Sequence, residues 1–207
     1  MQGRFITIEG GEGAGKSTMM SRVADWLQRA GHRVVTTREP GGTVLAEKLR
    51  NILLDRNNIS LSGQAELLLM FAARSQHLDE LIRPSLARGD SVLCDRFTDA
   101  TWAYQGGGRG LPGEEIATLE NLVQGDFQPD LTLLLDLPVQ QGMQRAAARS
   151  QADRFETESI DFFEKVRAAY LARAAAAPER FAVVDASLDV EAVWAQIEAV
   201  LGARLDT

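Results

Sequence analysis

The hydrophobic positions of this chain follow two periodicities in turn, which predicts strands that alternate with helices. Short apolar runs rich in β-branched residues predict five strands, at 5–9, 33–37, 91–94, 131–136 and 181–185. Apolar residues three and four positions apart predict helices at 17–30, 43–54, 64–81, 113–122, 139–148, 159–175 and 190–201. Strands that are joined through helices run parallel, so the pattern predicts an α/β fold with a five-stranded parallel sheet and helices on both faces.

Two segments fall outside this pattern. Residues 106–110 are four glycines around Arg109, which predicts a mobile loop. Residues 150–158 are polar and charged, and they interrupt what would otherwise be a long helical hairpin. Pro84 is expected at or beyond the end of the helix at 64–81. The chain of 207 residues has no internal repeat and no long linker, so we expect one domain.

Composition narrows the class of protein. Hydrophobic residues make up 45% and charged residues 25% of the chain, as in ordinary globular proteins. Apolar runs are too short to span a bilayer, residues 1–10 lack the features of a secretory signal, and the single cysteine, Cys94, cannot form an intrachain disulfide. We therefore expect a cytoplasmic protein without a membrane segment. The net charge of −7 argues against a nucleic-acid partner.

The residues after the first predicted strand match a phosphate-binding loop. Positions 10–17 read Gly-Gly-Glu-Gly-Ala-Gly-Lys-Ser, which fits G-x-x-x-x-G-K-[ST] between a strand and a helix. We expect backbone N–H groups to enclose a polyphosphate, Lys16 to reach the β- and γ-phosphates, and the Ser17 hydroxyl to ligate Mg²⁺. A plain glycine-rich connector is the alternative. The predicted ATP site consists of Gly10, Gly11, Glu12, Gly13, Ala14, Gly15, Lys16, Ser17 and Thr18.

Charged residues also follow the second and third predicted strands. Arg38 comes at the end of the second strand, and Asp95 and Arg96 come at the end of the third. Ligands of open α/β sheets bind beyond the carboxyl ends of the strands. Each arginine alone could be a solvated charge or half of an ion pair, but two of them beside a phosphate loop favour a bound anion. Arg50, on the following helix, could face the same pocket.

Several short motifs, taken together, resemble those of bacterial thymidylate kinases. Besides the phosphate loop they are Thr-Arg-Glu-Pro-Gly-Gly-Thr at 37–43, Phe-Ala-Ala-Arg at 71–74, Asp-Arg at 95–96, Ala-Tyr-Gln-Gly-Gly at 103–107, Asp-Arg-Phe-Glu at 153–156 and Asp-Phe-Phe at 161–163. The resemblance covers essentially the whole chain. It implies a three-layer αβα sandwich of the P-loop NTPase type, a single domain over 1–207 with a short mobile lid at about 146–158, and a homodimer. The implied reaction transfers the γ-phosphoryl group of ATP, with Mg²⁺, to dTMP, giving dTDP and ADP for dTTP biosynthesis.

The same resemblance implies roles for the residues around the acceptor phosphate and sugar. Arg38 and Arg96 would clamp the dTMP phosphate, with Arg50 in support. Glu12 would accept a hydrogen bond from the 3′-hydroxyl of the deoxyribose. Asp95 would hold Mg²⁺ through water and orient Arg96.

Residues further along the chain are implied at the sugar and base. Arg74 would donate to thymine O4, Thr101 and Gln105 would contact the edge of the base, and Tyr104 would disfavour a ribose 2′-hydroxyl. The family often has an aromatic residue one turn before this arginine, whereas this chain has Met70 there, with Phe71 beside it. Either side chain could stack on the base or belong to the core. The predicted dTMP site consists of Glu12, Arg38, Pro40, Arg50, Met70, Phe71, Arg74, Arg96, Thr101, Tyr104 and Gln105.

The subgroup of the family is decided by the position of a catalytic arginine. Position 13 of the phosphate loop, where one subgroup has arginine, is Gly13 here, while Arg145, Arg149 and Arg154 cluster at the predicted lid. We expect Arg149 to be the principal arginine finger and Arg145 to share the ATP site. An exposed arginine-rich helix end is the alternative for any one of them. No general base is needed, because the acceptor phosphate is already ionised at neutral pH.

Two other functions remain as alternatives. A deoxynucleoside kinase would need a carboxylate base to deprotonate a hydroxyl, and Arg38 and Arg96 argue instead for a phosphorylated acceptor. A nucleotide-dependent switch would bind ATP tightly, hydrolyse it slowly and have no small-molecule acceptor. Binding of dTMP alone distinguishes a kinase of this kind from a switch.

Overall fold

The computed structural model describes residues 3–55, 61–147, 154–155 and 158–205. Five parallel strands form one sheet in the order β2-β3-β1-β4-β5. The strands are β1 (Phe5–Gly10), β2 (Val34–Arg38), β3 (Ser91–Asp95), β4 (Leu131–Asp136) and β5 (Phe181–Asp185). The predicted α/β architecture and all five predicted strands are therefore confirmed.

The helices of the described residues cover both faces of this sheet. They are α1 (Lys16–Arg29), α2 (Val44–Leu54), α3 (Gly63–His77), α4 (Arg83–Ala87), α5 (Thr98–Thr101), α6 (Gly113–Val123), α7 (Val139–Ala147), α8 (Ile160–Ala176) and α9 (Val190–Leu205). On one face α1 and α9 bury Val23, Leu27 and Ile197 against the sheet. On the other, α8 buries Phe163 and Tyr170. Within the described part of the chain, no helix is both long and apolar enough to cross a membrane.

The helix predicted at 64–81 continues beyond its expected end. α3 leads into a wide, π-helical turn at Leu78–Ile82, and α4 follows directly with Pro84 in its first turn. Within the wide turn the N–H of Arg83 donates to the carbonyl oxygen of Leu78, five residues earlier. Proline has no N–H to donate and its ring crowds the preceding turn, so the locally wider helix accommodates Pro84 without ending.

The predicted mobile loop at 106–110 is instead largely helical. Residues Trp102–Gly108 form a π-helical segment after α5, here called the wide helical segment, and the N–H of Arg109 donates to the Tyr104 carbonyl at 2.8 Å. A Cβ on Gly108 would lie 2.4 Å from the Phe162 ring. The glycines therefore allow the segment to pack closely against α8. The prediction of a mobile loop considered only the conformational freedom of glycine and not this close packing.

The sheet order brings three strand ends together. β3 lies between β2 and β1, and the register sets Arg38 of β2 and Ile8 of β1 opposite Asp95 of β3. The phosphate loop continues directly from β1 into α1. The segments that were expected to bind nucleotides are consequently neighbours along one edge of the sheet.

Candidate active site

A cavity of about 270 Å³ opens at this edge of the sheet. Its walls come from the phosphate loop, the ends of β2 and β3, helices α2 and α3, and the wide helical segment. The predicted site residues that line it are Glu12, Gly13, Ala14, Gly15, Lys16, Ser17, Arg38, Pro40, Arg50, Met70, Arg74, Asp95, Arg96, Thr101, Tyr104 and Gln105. Gly10 and Gly11 border a smaller adjoining cavity, and Thr18 is an exposed residue of α1.

The phosphate loop has the backbone geometry that its glycines allow. Gly13 and Gly15 have left-handed φ values of +72° and +88°. A Cβ on Gly13 would lie 2.0 Å from the carbonyl oxygen of Gly142 in α7, so no larger residue fits this position without movement of the helix. Lys16 Nζ donates to the carbonyl oxygens of Gly10 at 3.1 Å and Gly11 at 3.0 Å. Burial, together with the nearby Arg96 charge, lowers the pKa of Lys16.

Arg96 is held in an unusual backbone conformation beside the loop. Its φ is +67°, a left-handed value that residues other than glycine seldom adopt. Its Nη1 donates to the Gly10 carbonyl at 3.0 Å, and its Nη2 donates to Glu12 Oε1 at 2.6 Å. The guanidinium carbon lies 4.7 Å from the centroid of the Tyr104 ring, close enough for a cation–π interaction. These contacts fix the cation at the point where the phosphate loop meets β3.

Two acids, the half-buried Glu12 and the buried Glu9, support this arrangement. Glu12 accepts from Arg96 and from the Tyr104 hydroxyl at 2.7 Å. Glu9 is fully buried in β1, where Oε1 accepts from the Phe97 N–H at 2.7 Å and Oε2 from the Tyr170 hydroxyl at 2.8 Å. Burial, and then the charge of Asp99, raise the pKa of Glu9 to about 8.

The sequence analysis assigned no role to Glu9 or Tyr170. Tyr170 reaches the site from α8, where its hydroxyl also lies 3.2 Å from Arg96 Nη1. The signal that could have been used for Glu9 is an acid at the end of an otherwise apolar strand. Tyr170 had no such signal, because it lies 74 residues from Arg96 along the chain.

Two further arginines, Arg38 and Arg50, line the cavity. Arg38 Nη2 donates to Glu47 at 3.0 Å, and its side chain is 54% exposed, so it is open to a ligand. Arg50 Nη1 donates to the Pro40 carbonyl oxygen at 2.7 Å. Both arginines line the same cavity as Arg96, so the three predicted phosphate ligands are brought together.

Oxygen atoms suited to a hard divalent cation are present beside the loop. Asp95 and Ser17 both line the cavity. Asp95 Oδ1 is buried and has no hydrogen-bond partner within the described residues. In the same part of the chain no group of three or more His, Cys, Asp or Glu side chains could hold a metal ion. The residues therefore fit a Mg²⁺ ion that takes most of its ligands from nucleotide and water.

The far end of the cavity is organised around Arg74. Its Nε donates to Glu39 at 2.7 Å and its Nη2 donates to Thr101 at 2.9 Å. The guanidinium carbon lies 4.8 Å from the centroid of Phe71 and 5.1 Å from that of Phe97. Its Nη1 is buried and has no hydrogen-bond partner within the described ranges. A buried donor that borders an open cavity is available for a ligand acceptor.

The two candidates for stacking on the base are separated by the structure. Met70 lines the cavity, whereas Phe71 does not. Phe71 is buried with Leu67 and Ile116, where its ring supports the Arg74 guanidinium from behind.

Glu39 is a third residue for which no role was predicted, although it stands within the motif at 37–43. It is buried between Arg74 and His77, whose Nδ1 lies 3.0 Å from Glu39 Oε1. The other ring nitrogen of His77 lies 2.7 Å from the Thr37 hydroxyl. Burial alone would raise the pKa of Glu39, but the Arg74 charge and the His77 hydrogen bond outweigh it and lower the pKa. Glu39 is therefore an ionised carboxylate, and in this form it holds the Arg74 guanidinium.

The arginines near the predicted lid do not share one location. Arg145 donates to the carbonyl oxygens of Ala186 at 2.7 Å and Ser187 at 3.1 Å, in the loop that follows β5. Arg154 is buried, donates to the Leu53 carbonyl at 2.8 Å and pairs with Glu66 on α3. Arg149 and most of the lid predicted at about 146–158 lie outside the described residues.

Comparison with known proteins agrees with the geometry. The thymidylate kinase family model matches residues 8–197. A thymidylate kinase of Pseudomonas putida (strain F1) is 59% identical over 206 residues, which cover 100% of this chain and 98% of that protein. One from Chromohalobacter salexigens is 62% identical over 205 residues, covering 98% and 97% of the two chains. The crystal structure of thymidylate kinase from Ehrlichia chaffeensis superimposes with a TM-score of 0.79 at 34% identity, covering 97% of this chain and 99% of that one. The chain belongs to the thymidylate kinase family.

Proposed function

We propose that the cavity holds ATP and dTMP with their phosphates facing each other, and that the γ-phosphoryl group of ATP is transferred there. The observation that carries this proposal is that Lys16 and Arg96 donate to one acceptor, the Gly10 carbonyl oxygen. A donor phosphate at Lys16 and an acceptor phosphate at Arg96 are therefore adjacent. When both nucleotides are bound side by side, the bimolecular transfer between them becomes a step within a single complex.

The acceptor phosphate is bound by three cations. Arg96 holds it beside the loop, together with Arg38 and Arg50, which line the same cavity. Arginine suits this task because its planar fork donates two parallel hydrogen bonds to phosphate oxygens. The oxygen that attacks the γ-phosphorus is already ionised, so alignment and neutralisation of charge suffice for catalysis.

The sugar lies against Glu12 and Tyr104. Glu12 accepts from the 3′-hydroxyl of dTMP while it keeps its bond to Arg96, because a carboxylate can accept several hydrogen bonds. Tyr104 lies where a 2′-hydroxyl would be placed and so favours deoxyribose. Support comes from the bond between the Tyr104 hydroxyl and Glu12, which brings both residues to one side of the cavity.

The base occupies the far end of the cavity. The buried Nη1 of Arg74, which has no hydrogen-bond partner within the described residues, donates to thymine O4. Thr101 and Gln105 face the edge of the base, and the Met70 thioether packs against the ring.

Ser17 and Asp95 would hold Mg²⁺ beside the phosphates, Asp95 through water. When bound, the ion supplies charge neutralisation for the β- and γ-phosphates. The buried oxygen of Asp95 that lacks a described hydrogen-bond partner supports this role.

Arg149 supplies the arginine that stabilises the transferring group, with Arg145 at the ATP site. The close approach of Gly13 to Gly142 supports this choice, because the loop of this chain has no room for an arginine at position 13. The lid that carries Arg149 excludes water during the transfer.

A second copy of the chain covers the apolar surface formed by α2 and α3. The exposed side chains are Leu45 and Ile52, which lie two turns apart on one face of α2, and Leu68 of α3. Large exposed apolar patches mark protein interfaces, and the two helices that carry these side chains pack against each other. Replacement of Leu45 and Leu68 by lysine should convert a dimer to a monomer in analytical ultracentrifugation.

A location in the cytoplasm is consistent with Cys94, a free and buried thiol.

The assignment is tested with purified protein, ATP and Mg²⁺, and a panel of nucleosides and nucleoside monophosphates. Release of ADP should be fastest with dTMP, and faster turnover of thymidine would overturn the assignment. In a separate melting experiment without ATP, dTMP should raise the Tm, because a ligand that binds only the folded state stabilises it. No shift at millimolar dTMP would favour a nucleotide-dependent switch.

A further inference from the structure

A fully buried carboxylate, Glu66, lies behind the base end of the cavity. Its Oε1 accepts from Gln105 Nε2 at 2.8 Å and from Arg109 Nε at 3.3 Å. Its Oε2 pairs with Arg154 and lies 3.4 Å from Arg109 Nη2. Glu158 completes the group through a 2.5 Å contact with Arg109. Both oxygens of the buried Glu66 are thus paired with arginine donors, as a buried carboxylate requires.

The bond to Glu66 decides which atoms of Gln105 remain for a ligand. A carboxylate accepts hydrogen bonds and cannot donate them, so the Gln105 amide must turn its NH₂ group towards Glu66. The carbonyl oxygen, on the other arm of the planar amide, is then the atom left for the cavity that Gln105 lines. Gln105 is therefore fixed as an acceptor.

Arg74, on the same wall, is fixed as a donor in a corresponding way. Glu39 holds its Nε at 2.7 Å and Thr101 holds its Nη2 at 2.9 Å. A guanidinium group has no acceptor atom, so its remaining nitrogen can only donate. Each of the two base-facing side chains is thus oriented by its own buried acid.

We propose that Glu66 is a positioning residue for base selection, acting through the orientation of the Gln105 amide. The inference rests on the proposed function, because it takes Arg74 and Gln105 to face the base of a nucleoside monophosphate. A donor next to an acceptor matches thymine, which has an O4 acceptor beside an N3–H donor. It opposes cytosine, which has an N4 amino donor beside an N3 acceptor. Arg109 and Arg154 hold Glu66 in place.

The variant Glu66→Gln tests this directly, because it keeps the shape of the side chain but adds a donor. Arg154 can only donate and contacts one oxygen of Glu66 closely, whereas the Arg109 Nε bond to the other oxygen is long, at 3.3 Å, so the new amide turns its oxygen towards Arg154 and its NH₂ towards Gln105. Gln105 must then reverse and present its own NH₂ group to the base. We expect the Kd of dTMP to rise about ten-fold or more and the preference for dTMP over dCMP to fall by at least as much.

Three comparisons separate positioning from a general structural effect. In a Gln105→Ala background, Glu66→Gln should leave the Kd of dTMP unchanged to within about two-fold, because interacting sites are not additive. Glu120→Gln is the matched control, since Glu120 also accepts a hydrogen bond from the wide helical segment. The donor there is Trp102 Nε1, at 2.6 Å. It should leave both the Kd and the preference unchanged. The melting temperature of each variant is measured alongside.

Several outcomes would overturn the inference. They are an unchanged Kd for dTMP in Glu66→Gln, an equal loss of dTMP and dCMP binding, and a persistent effect in the Gln105→Ala background. If Glu66→Gln does not fold, neutron diffraction of the wild-type protein with dTMP locates the amide hydrogens of Gln105, and hydrogens that point to the base would reject the inference. Failure of the wild-type protein to phosphorylate dTMP would instead reject the proposed function.

Discussion

Lys16 and Arg96 donate to the same atom, the carbonyl oxygen of Gly10, at 3.1 and 3.0 Å. One cation belongs to the phosphate loop and the other follows β3, so a single backbone oxygen links the two groups that we propose bind the donor and acceptor phosphates. The left-handed backbone of Arg96, with φ of +67°, is required to turn its side chain into this position.

Arg96→Lys should lower kcat/KM for dTMP about 100-fold. Lysine keeps the charge, but one ammonium group cannot bond Gly10 and Glu12 in the fork geometry and also stack on Tyr104. Steady-state kinetics at saturating ATP measures the effect. Arg83→Lys, at an exposed arginine paired with Asp79, is the control and should behave as wild type. A loss of less than about three-fold would show that only charge matters.

Arg149→Ala should lower kcat by about 1000-fold while the Kd of dTMP stays unchanged, because an arginine finger acts on the transition state. The matched variant Arg145→Ala removes an arginine bonded to the Ala186 and Ser187 carbonyls, and we expect it to raise the KM of ATP instead. Both are measured by steady-state kinetics and by calorimetric titration of dTMP. A larger loss of kcat in Arg145→Ala would assign the finger to Arg145.

Arg74→Ala should act mainly on binding. The Kd of dTMP should rise about 10- to 100-fold, because the donor to O4 is lost, whereas kcat at saturating dTMP should change much less. The variant also removes the arginine charge that pairs with the buried Glu39 carboxylate and leaves its contact with the His77 ring. The free energy of unfolding should therefore fall by about 3 kcal/mol. Isothermal titration and urea denaturation give the two quantities. A fall in kcat with unchanged affinity would mean that the roles of Arg74 and Arg149 are exchanged.

The stability of the protein should depend on the ionisation of Glu9. Its pKa is raised from 4.5 to about 8 in the folded chain, so between these values the unfolded chain releases a proton that the folded chain keeps. The stability that Glu9 contributes is complete below pH 4.5 and is lost as pH rises towards 8, at up to about 1.4 kcal/mol per pH unit.

Glu9→Gln should remove this loss, because glutamine does not ionise. Denaturant unfolding from pH 5 to pH 8 should show a smaller decline in the free energy of unfolding for Glu9→Gln than for wild type. Glu198→Gln, at an exposed position of α9, should follow the wild-type curve. Parallel curves for Glu9→Gln and wild type would show that Glu9 is ionised throughout this range.

Local patterns were enough to predict the sheet and the phosphate loop, because both depend on residues close together in the sequence. β1 is a short apolar run, and the loop after it follows from glycine spacing alone. The wide turn before Pro84 and the wide helical segment were missed because their hydrogen bonds join residues five positions apart, which the usual helical period does not reveal.

The buried acids of the site were not predicted for a different physical reason. Glu39 contacts Arg74 across 35 positions of the chain, and Glu66 contacts Arg154 across 88. Buried ion pairs of this kind leave no periodic signal, and a single acid in a helix or turn is usually a solvated charge. Phe71 could have been assigned to the core or the site from sequence, and only its packing against Ile116 decides the matter.

The order of the strands has a consequence for how acceptor choice can change. Three of the groups that we propose bind the phosphates, Arg38, Arg96 and Lys16, follow β2, β3 and β1, whose spacing is fixed by the register of the sheet. The side chains that we propose face the base come from helices, namely Met70 and Arg74 from α3, Thr101 from α5 and Gln105 from the wide helical segment. Redesign of these helical positions for another pyrimidine can therefore leave the strand register unchanged, provided that Tyr104, which contacts Arg96, and Glu39, which holds Arg74, are kept.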